Sequence, residues 1–455
     1  MRQQLSSLTF WTVPLYVRSR QVAQAGVFLL ICMSCVRSQW LFSAQVPEKL
    51  LSSAHGCYKV VPNAAVCRFK NVCVKVGSFH DKRELVYFLP HISPTNDDFP
   101  LVANISGFLD ESTLLALRPF ALTDRSMGLD ETHNFLSVRI DRRDQYTNME
   151  WMKRTSVLYS PFWPENWGHA VFDDLYSIWC AMEIFGLKPG EVNLYHSGFP
   201  FDDESLKRRS LKIYQQFSTK ARMGRPVELR VPAKNSHNGY VCFRDLLTGT
   251  GALSMREYPF RLQAFTRLIR KRRRTRRPHR NVRPIIAFLQ KTDGKHKRNI
   301  RNLGEILKAA AEAFPEARVQ ELYSNKLSRL SLESRLSTLS EIDILVTPGG
   351  AASFNAAFMQ PGTVLVVLEV FRPSSNSSIA LEPYIWDALT DVRTFYFEVS
   401  AQNMIVTAES TERPKSDPLY TDFLFRDFAE YDLPINRILQ TIRSAMRHVK
   451  VSTEF

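Results

Sequence analysis

From residue 284 onward the chain alternates apolar runs with amphipathic segments. Residues 284–290 (PIIAFLQ), 342–347 (IDILVT) and 363–371 (TVLVVLEVF) carry almost no polar interruption, the pattern of strands buried on both faces. The shorter run 317–322 also predicts a strand. Between these runs, 302–314 (NLGEILKAAAEAF) and 327–339 place apolar residues at helical spacing, and 351–358 predicts a short helix. The resulting β-α-β-α-β-α-β order predicts a parallel sheet covered by helices, a Rossmann-like domain that takes its ligand beyond the carboxyl ends of the strands. Residues 434–449 predict a last helix. The half before 284 is less regular. It predicts strands at 72–76, 84–89, 135–140 and 240–247, and helices at 203–217 and 258–270. Residues 161–186 read as a loop entering a helix.

At 455 residues the chain has room for two domains. Its 44% hydrophobic and 23% charged content excludes a chain disordered throughout, and seven cysteines are too few for a disulfide scaffold. The net charge of +15 invites a nucleic-acid reading. However, Arg270–Arg283 (RKRRRTRRPHRNVR) holds nine Lys and Arg and no acid. Removing it leaves 51 basic against 45 acidic residues. The basicity is therefore local, and the run has no aromatic residue to stack a base, so nucleic acid is not expected as a partner. The run reads as a linker, an acidic-partner dock or a processing site.

Residues 22–36 (VAQAGVFLLICMSCV) are free of charge and follow Arg2, Arg18 and Arg20. Fifteen apolar residues suit a signal-peptide core or a short signal-anchor. Basic residues before the run favour a cytosolic N-terminus and a lumenal body. A buried helix of a cytosolic fold is the alternative. Cys57, Cys67 and Cys73 cluster beyond this segment as candidates for lumenal disulfides. Cys180 and Cys242 lie in apolar patterns and read as core thiols. Asn104 and Asn376 begin N-x-S triplets, acceptors for glycosylation.

Four groups of residues carry candidate chemistry. Thr347-Pro348-Gly349-Gly350-Ala351-Ala352-Ser353 follows a strand and opens a helix, where backbone N–H groups can face an anion. It matches neither a dinucleotide fingerprint nor a P-loop. Lys291, Lys295, His296, Lys297, Arg298 and Arg301 follow the strand 284–290 and can neutralise a diphosphate. Glu369 closes an apolar strand, a position suited to ribose hydroxyls. In Asn166–Asp174 (NWGHAVFDD), His169 and Asp173 are i, i+4 neighbours at a helix start, opposite the apolar stripe Val171, Leu175, Ile178 and Met182. An imidazole beside a carboxylate there acts as a general base or orients one. A tight turn, a solvated loop, an edge carboxylate and a capping pair are the structural alternatives to the four.

Taken together these segments resemble glycosyltransferase family 61. CRFKNVC (67–73) is similar to its cysteine motif and NWGHAVFDDL (166–175) to its N-x-G-H-x-x-x-D block. VCFRDLLTGTGAL (241–253), RNIRNLGEI (298–306) and DILVTPGGAASFNAAFMQPGTVLVVLE (343–369) follow in the family's order.

The resemblance implies an α/β, GT-B-like fold with two Rossmann-like domains facing across a cleft, preceded by an anchor or signal. The expected layout is a tail, anchor and stem at 1–44, an acceptor-side domain at 45–269, the basic linker at 270–283, a nucleotide-sugar domain at 284–430, and a terminal helix at 431–455 that crosses back to the first domain. The implied reaction is inverting transfer from a UDP-sugar to a hydroxyl of a glycan or glycoprotein. The enzyme would be a single-pass type II protein of the Golgi or endoplasmic reticulum, held in the membrane by residues 22–36. His169 or Asp173 would be the base, with Asn166 and Trp167 on the acceptor side. Lys291, Arg298, Asn302, Gly349, Gly350, Ala351, Ser353, Asn355 and Glu369 would bind the donor. With no D-x-D in the chain, the implied chemistry is metal-independent and needs no cofactor beyond the UDP-sugar. UDP-xylose, UDP-N-acetylglucosamine and UDP-arabinose are all compatible donors. A catalytically inactive member that binds sugars or a partner is the alternative.

Overall fold

The structure is a computed structural model. It describes residues 54–61, 64–76, 83–88, 136–141 and 149–453, apart from 162, 189, 200–201, 237–238, 256–257, 271–282, 292–297 and 408–414. The membrane segment 22–36, Asn104 and most of the basic run lie outside the described residues, as do Lys295, His296 and Lys297. No described helix is long and apolar enough to cross a membrane.

The first half is built on a mixed sheet. Its strands are β1 (Ala54–Val61), β2 (Ala64–Lys75), β3 (Arg83–Phe88), β4 (Leu136–Asp141), β5 (Trp151–Met152), β6 (Ser156–Tyr159), β7 (Asn193–His196), β8 (Pro226–Glu228) and β9 (Tyr240–Thr248). The order is β4-β3-β2-β9-β6-β7-β8, with β1 beside β2 and β5 beside β9. The stretch β9-β6-β7-β8 is parallel, with helices 167–184 and Glu204–Lys220 as its crossovers. Asp203 caps the second of these helices, accepting from the N–H groups of Ser205 (2.7 Å) and Leu206 (3.2 Å).

Two disulfides join directly opposite residues of the antiparallel part, Cys57–Cys67 across β1 and β2 and Cys73–Cys242 across β2 and β9. Cys242 was expected to be a core thiol and is instead bonded. Cys180 is the free, buried thiol of the described residues. Cys67 and Cys73, six positions apart, would share a face of a regular strand. Asn71 stands at φ +53° and reverses the alternation. Ala65, Cys67, Phe69, Val72 and Val74 therefore line one core, while Cys73 faces Met149 and Tyr240 on the other side.

The second half holds a five-stranded, wholly parallel sheet. Its strands are β10 (Ile285–Gln290), β11 (Arg318–Tyr323), β12 (Ile344–Pro348), β13 (Thr363–Leu368) and β16 (Val392–Phe397), in the order β11-β10-β12-β13-β16. Two hairpins complete it, β14 (Val370–Arg372) with β15 (Ser377–Ile379), and β17 (Met404–Val406) with β18 (Ala429–Tyr431). The chain leaves β10 toward β11 on one side and toward β12 on the other. The β10/β12 boundary is thus the topological switch point, where ligands of open α/β sheets bind.

Two expected elements are broken. The single helix 327–339 is two helices, Ser324–Arg329 and Leu332–Glu341. Ser331 starts the second by accepting the Ser334 N–H at 3.1 Å. The strand 363–371 stops at Leu368, and Glu369 separates it from β14.

Alternation along the buried strands divides their side chains between two packings. Ile286, Phe288, Ile344, Val346, Val364 and Val366 face a core closed by the final helix Ile435–Thr453 through Ile438, Ile442, Ala445, Met446 and Val449. Among the described residues, this helix packs on the second half. Its apolar stripe is used on the second sheet and on helix Leu303–Ala313. Ala287, Leu289, Leu345, Leu365 and Val367 face the opposite way, into a core shared with helix 167–184 of the first half. Asp391 adds a polar tie, accepting from Gln263 (2.6 Å), Arg267 (2.6 and 2.9 Å) and Arg270 (2.9 Å).

Candidate functional site

The helix carrying His169 and Asp173 is irregular where they sit. A helical turn at Trp167–His169 passes into a π-helical segment at Ala170–Leu175 and returns to α-helix at Tyr176–Ile184. π-bulges are rare and concentrate at functional sites. Asn166 caps the start, its Oδ1 accepting the Gly168 N–H at 3.0 Å. Within the bulge, His169 Nδ1 lies 2.5 Å from Asp173 Oδ2. The His169 ring stacks on Trp163, with centroids 5.5 Å apart and planes 8° from parallel. Burial lowers the imidazole's proton affinity. The Asp173 hydrogen bond and charge, aided by Glu382 and Asp174, more than offset this and hold His169 above its usual 6.5. Asp174 points to the other side and accepts from the buried Tyr214 hydroxyl.

Beyond the strand ends of the second sheet, Pro348 closes β12, and Gly349 and Gly350 make the turn. Gly350 stands at φ +86°, and a Cβ on it would lie 2.7 Å from Arg298 Nη1. Arg298 is also left-handed, at φ +68°. Its N–H donates to Ala429 O at 2.7 Å, its Nη1 to Gly349 O at 3.0 Å, and its Nη2 lies 3.9 Å from Asp427. Glu369 is buried just past β13. Burial drives the Tyr431 hydroxyl up, Arg298 opposes this and Glu369 adds to it. Arg298 Nε, Glu369 Oε2 and the Tyr431 hydroxyl have no hydrogen-bond partner among the described residues.

The other expected donor residues are placed differently. Lys291 follows β10, and its N–H donates to Asn299 Oδ1 at 3.0 Å. Asn302 bonds both backbone groups of Leu433, at 2.8 and 3.1 Å. Ser353 is buried and donates to Gly350 O at 2.7 Å, while Ala351 is half-buried beside it. Asn355 accepts from Arg335 Nε and Nη2, at 3.1 and 2.6 Å, and donates to Ala352 O at 2.8 Å. Trp167, expected on the acceptor side, is buried among Phe172, Phe217, Phe354 and Phe358. Asn376 is exposed, at φ +48°, in the turn between β14 and β15.

Two residues were not anticipated from sequence. Arg335 is buried with its guanidinium 3.6 Å from the centre of the Trp167 ring, and burial pushes it down to about 9. It joins the start of the His169 helix to Asn355 of the second half. Glu382 lies between His169, Asp173 and Arg298, and its carboxylate receives the Gly350 N–H. Burial raises this carboxyl above its ordinary range, with Arg298, His169 and Gly350 opposing the rise. A single arginine on an amphipathic helix and a single acid before a short helix give no sequence signal for these placements.

Glu382 is thus the shared neighbour that brings the His169–Asp173 pair, Arg298 and the glycine turn to one place, although they are far apart in sequence. No curated protein matches the chain. Residues 167–366 match the family model Glycosyltransferase 61. This segment begins at the His169 helix, contains Arg298 and the glycine turn, and ends inside β13, short of Glu369 and Glu382. This segment carries the chain's likeness to glycosyltransferase family 61.

Proposed function

We propose that this chain transfers a sugar, with inversion, from a UDP-sugar to a hydroxyl of a glycan or glycoprotein in the secretory pathway. The observation that carries the proposal is the meeting of the His169–Asp173 pair with Arg298 and the Gly349–Gly350 turn at the switch point of a parallel sheet. In this reading the two halves form a GT-B-like cleft. The diphosphate lies over the turn beside Arg298 and Lys291, which take up the charge that grows as it departs. Glu369 receives the ribose hydroxyls.

Asp173 holds the proton on His169 Nδ1, so Nε2 is the nitrogen that acts as base. The acceptor oxygen forms its bond to the anomeric carbon as the bond from that carbon to the diphosphate breaks. The acceptor's proton passes to Nε2 and UDP leaves as the anion. Two disulfides and the exposed Asn376 support an oxidising, glycosylating compartment. Residues 22–36 are the proposed anchor.

The test is transfer and hydrolysis by the full-length protein across a panel of UDP-sugars, with and without chelator. Chelator-insensitive turnover with one donor, abolished in His169→Ala, is expected. Binding of a UDP-sugar with no turnover on any acceptor would favour an inactive sugar binder.

A further inference from the structure

The reaction proposed above leaves Glu382 without a role, yet the fold commits strain and burial to it. Glu382 stands at φ +53°, one of five described non-glycine residues with positive φ, and two of the five, Arg298 and Glu382, are at this site. A left-handed backbone with a Cβ is strained and persists only where the surroundings enforce it. Glu382 precedes helix Pro383–Ala388, but its side chain does not cap that helix. Instead the carboxylate turns to the Gly350 N–H and to Arg298. Its Oε2 is buried with no hydrogen-bond partner among the described residues. A buried carboxylate oxygen left in this state is costly and calls for a hydrogen-bond donor.

The chemistry of that donor is restricted. A phosphate oxygen brought against a carboxylate meets like charge, so Oε2 does not face the diphosphate. It needs a neutral O–H or N–H group. Gly350 belongs to the turn at the switch point, where the diphosphate is to lie, and the His169 charge acts on the same Glu382 carboxylate. In an inverting transfer the body between the departing phosphate and the base is the transferred sugar. Its anomeric carbon must lie in line between them.

We propose that Glu382 is the carboxylate that receives hydroxyl groups of the transferred sugar, and that it selects among donors. This rests on the reading of the chain as a UDP-sugar transferase. Glu382 is a donor-specificity residue and takes no proton in the reaction. A donor whose sugar lacks a hydroxyl facing Oε2 leaves that oxygen unsatisfied and is rejected.

The experiment compares Glu382→Gln and Glu382→Ala with the parent full-length protein, measuring affinity for UDP and for UDP-N-acetylglucosamine, UDP-xylose and UDP-arabinose, together with kcat and KM for the best donor. In the parent, one UDP-sugar should bind more tightly than UDP. In both variants that advantage should fall by about 10- to 100-fold, the worth of a hydrogen bond to a charged group. UDP itself should bind equally or more tightly, since a negative charge beside the diphosphate is gone. Thermal unfolding of Glu382→Gln should occur at or above the parent's temperature, which shows that folding is intact. An unchanged sugar advantage would overturn the assignment. So would an equal loss of UDP and UDP-sugar, which is the mark of a structural role. A collapse of kcat at unchanged donor affinity would make Glu382 the base and also overturn it. A parent that binds no uridine nucleotide would instead remove the transferase reading, and this inference with it.

Discussion

Gly168→Ala tests how the two halves are locked together. In an uncrowded helix, replacing Gly by Ala adds about 1 kcal/mol of stability. Gly168 sits in the helical turn Trp167–His169, so local propensity alone predicts a gain. The packing predicts the opposite sign. A Cβ on Gly168 would lie 2.1 Å from Phe354 Cδ2 and 2.5 Å from Cε2. The Phe354 ring has nowhere to go. It is 1% exposed and held between Trp167, Phe172 and Trp386, at centroid distances of 6.3, 5.3 and 6.3 Å. Forcing a methyl into a filled core costs about 1–3 kcal/mol, which outweighs the propensity gain. Gly168→Ala should therefore lower the urea midpoint, by a net loss of up to about 2 kcal/mol. Phe354→Ala empties the space at its own cost of about 3–5 kcal/mol. In that background Gly168→Ala should be stabilising. The double-mutant cycle should give a coupling of about 1–3 kcal/mol with a reversal of sign. A Gly168→Ala protein as stable as the parent, or one equally destabilised with and without the Phe354 ring, would refute the argument.

Removing the imidazole in His169→Ala should lower kcat by about 10²- to 10⁴-fold, measured by product release under donor saturation. Because Asp173 raises the His169 pKa, the rate should fall as pH drops through a value above 6.5. Asp173→Asn should shift that limb toward lower pH and lower the plateau, and a limb that stays in place would exclude His169 as the base. The same raised pKa contributes stability that is full below 6.5 and is lost as pH rises through the folded value. The Cys73–Cys242 bridge spans 169 residues and Cys57–Cys67 spans 10. On loop entropy, Cys242→Ser should cost about 5 kcal/mol and Cys57→Ser about 3 kcal/mol, compared by unfolding under non-reducing conditions.

The legible parts of the sequence were those set by local pattern. The buried parallel strands announce themselves because both of their faces are apolar, and β10, β12 and β13 fall within the expected runs. The i, i+4 spacing of His169 and Asp173 brings them together even through a π-helical turn, since four residues complete about one turn in either geometry. What was not legible depends on register and long-range packing. The partner of Cys73 follows from the β2/β9 register and from one left-handed asparagine, and neither leaves a periodic trace. Arg335 lies on an amphipathic helix whose charged residues read as a solvated face. Its burial becomes visible only when Trp167 arrives from the other half. Asn302 and Asn355 occupy motif positions, yet their side chains are used on Leu433 and Arg335, so motif membership alone did not separate positioning from ligand contact.

The distribution of charge gives the proposed donor a single direction. The Arg298 guanidinium is bonded to the glycine turn beyond β12, and Glu369 and Glu382 each have a buried oxygen with no hydrogen-bond partner among the described residues. A nucleotide sugar is anionic in its middle and carries hydroxyl groups at both ends. Placed with the diphosphate at Arg298, both ends meet carboxylates that accept from hydroxyls, and every charge faces its opposite or a neutral donor. Shifted by one group in either direction, a phosphate meets a carboxylate, and a like-charge contact in a dry site costs several kcal/mol. In the proposed reading the ribose takes Glu369 and the sugar takes Glu382, whose carboxylate feels the His169 charge. In that reading the electrostatics that bind the donor also present it to the base, and a variant that weakens this sign pattern should lose donor orientation before it loses nucleotide affinity.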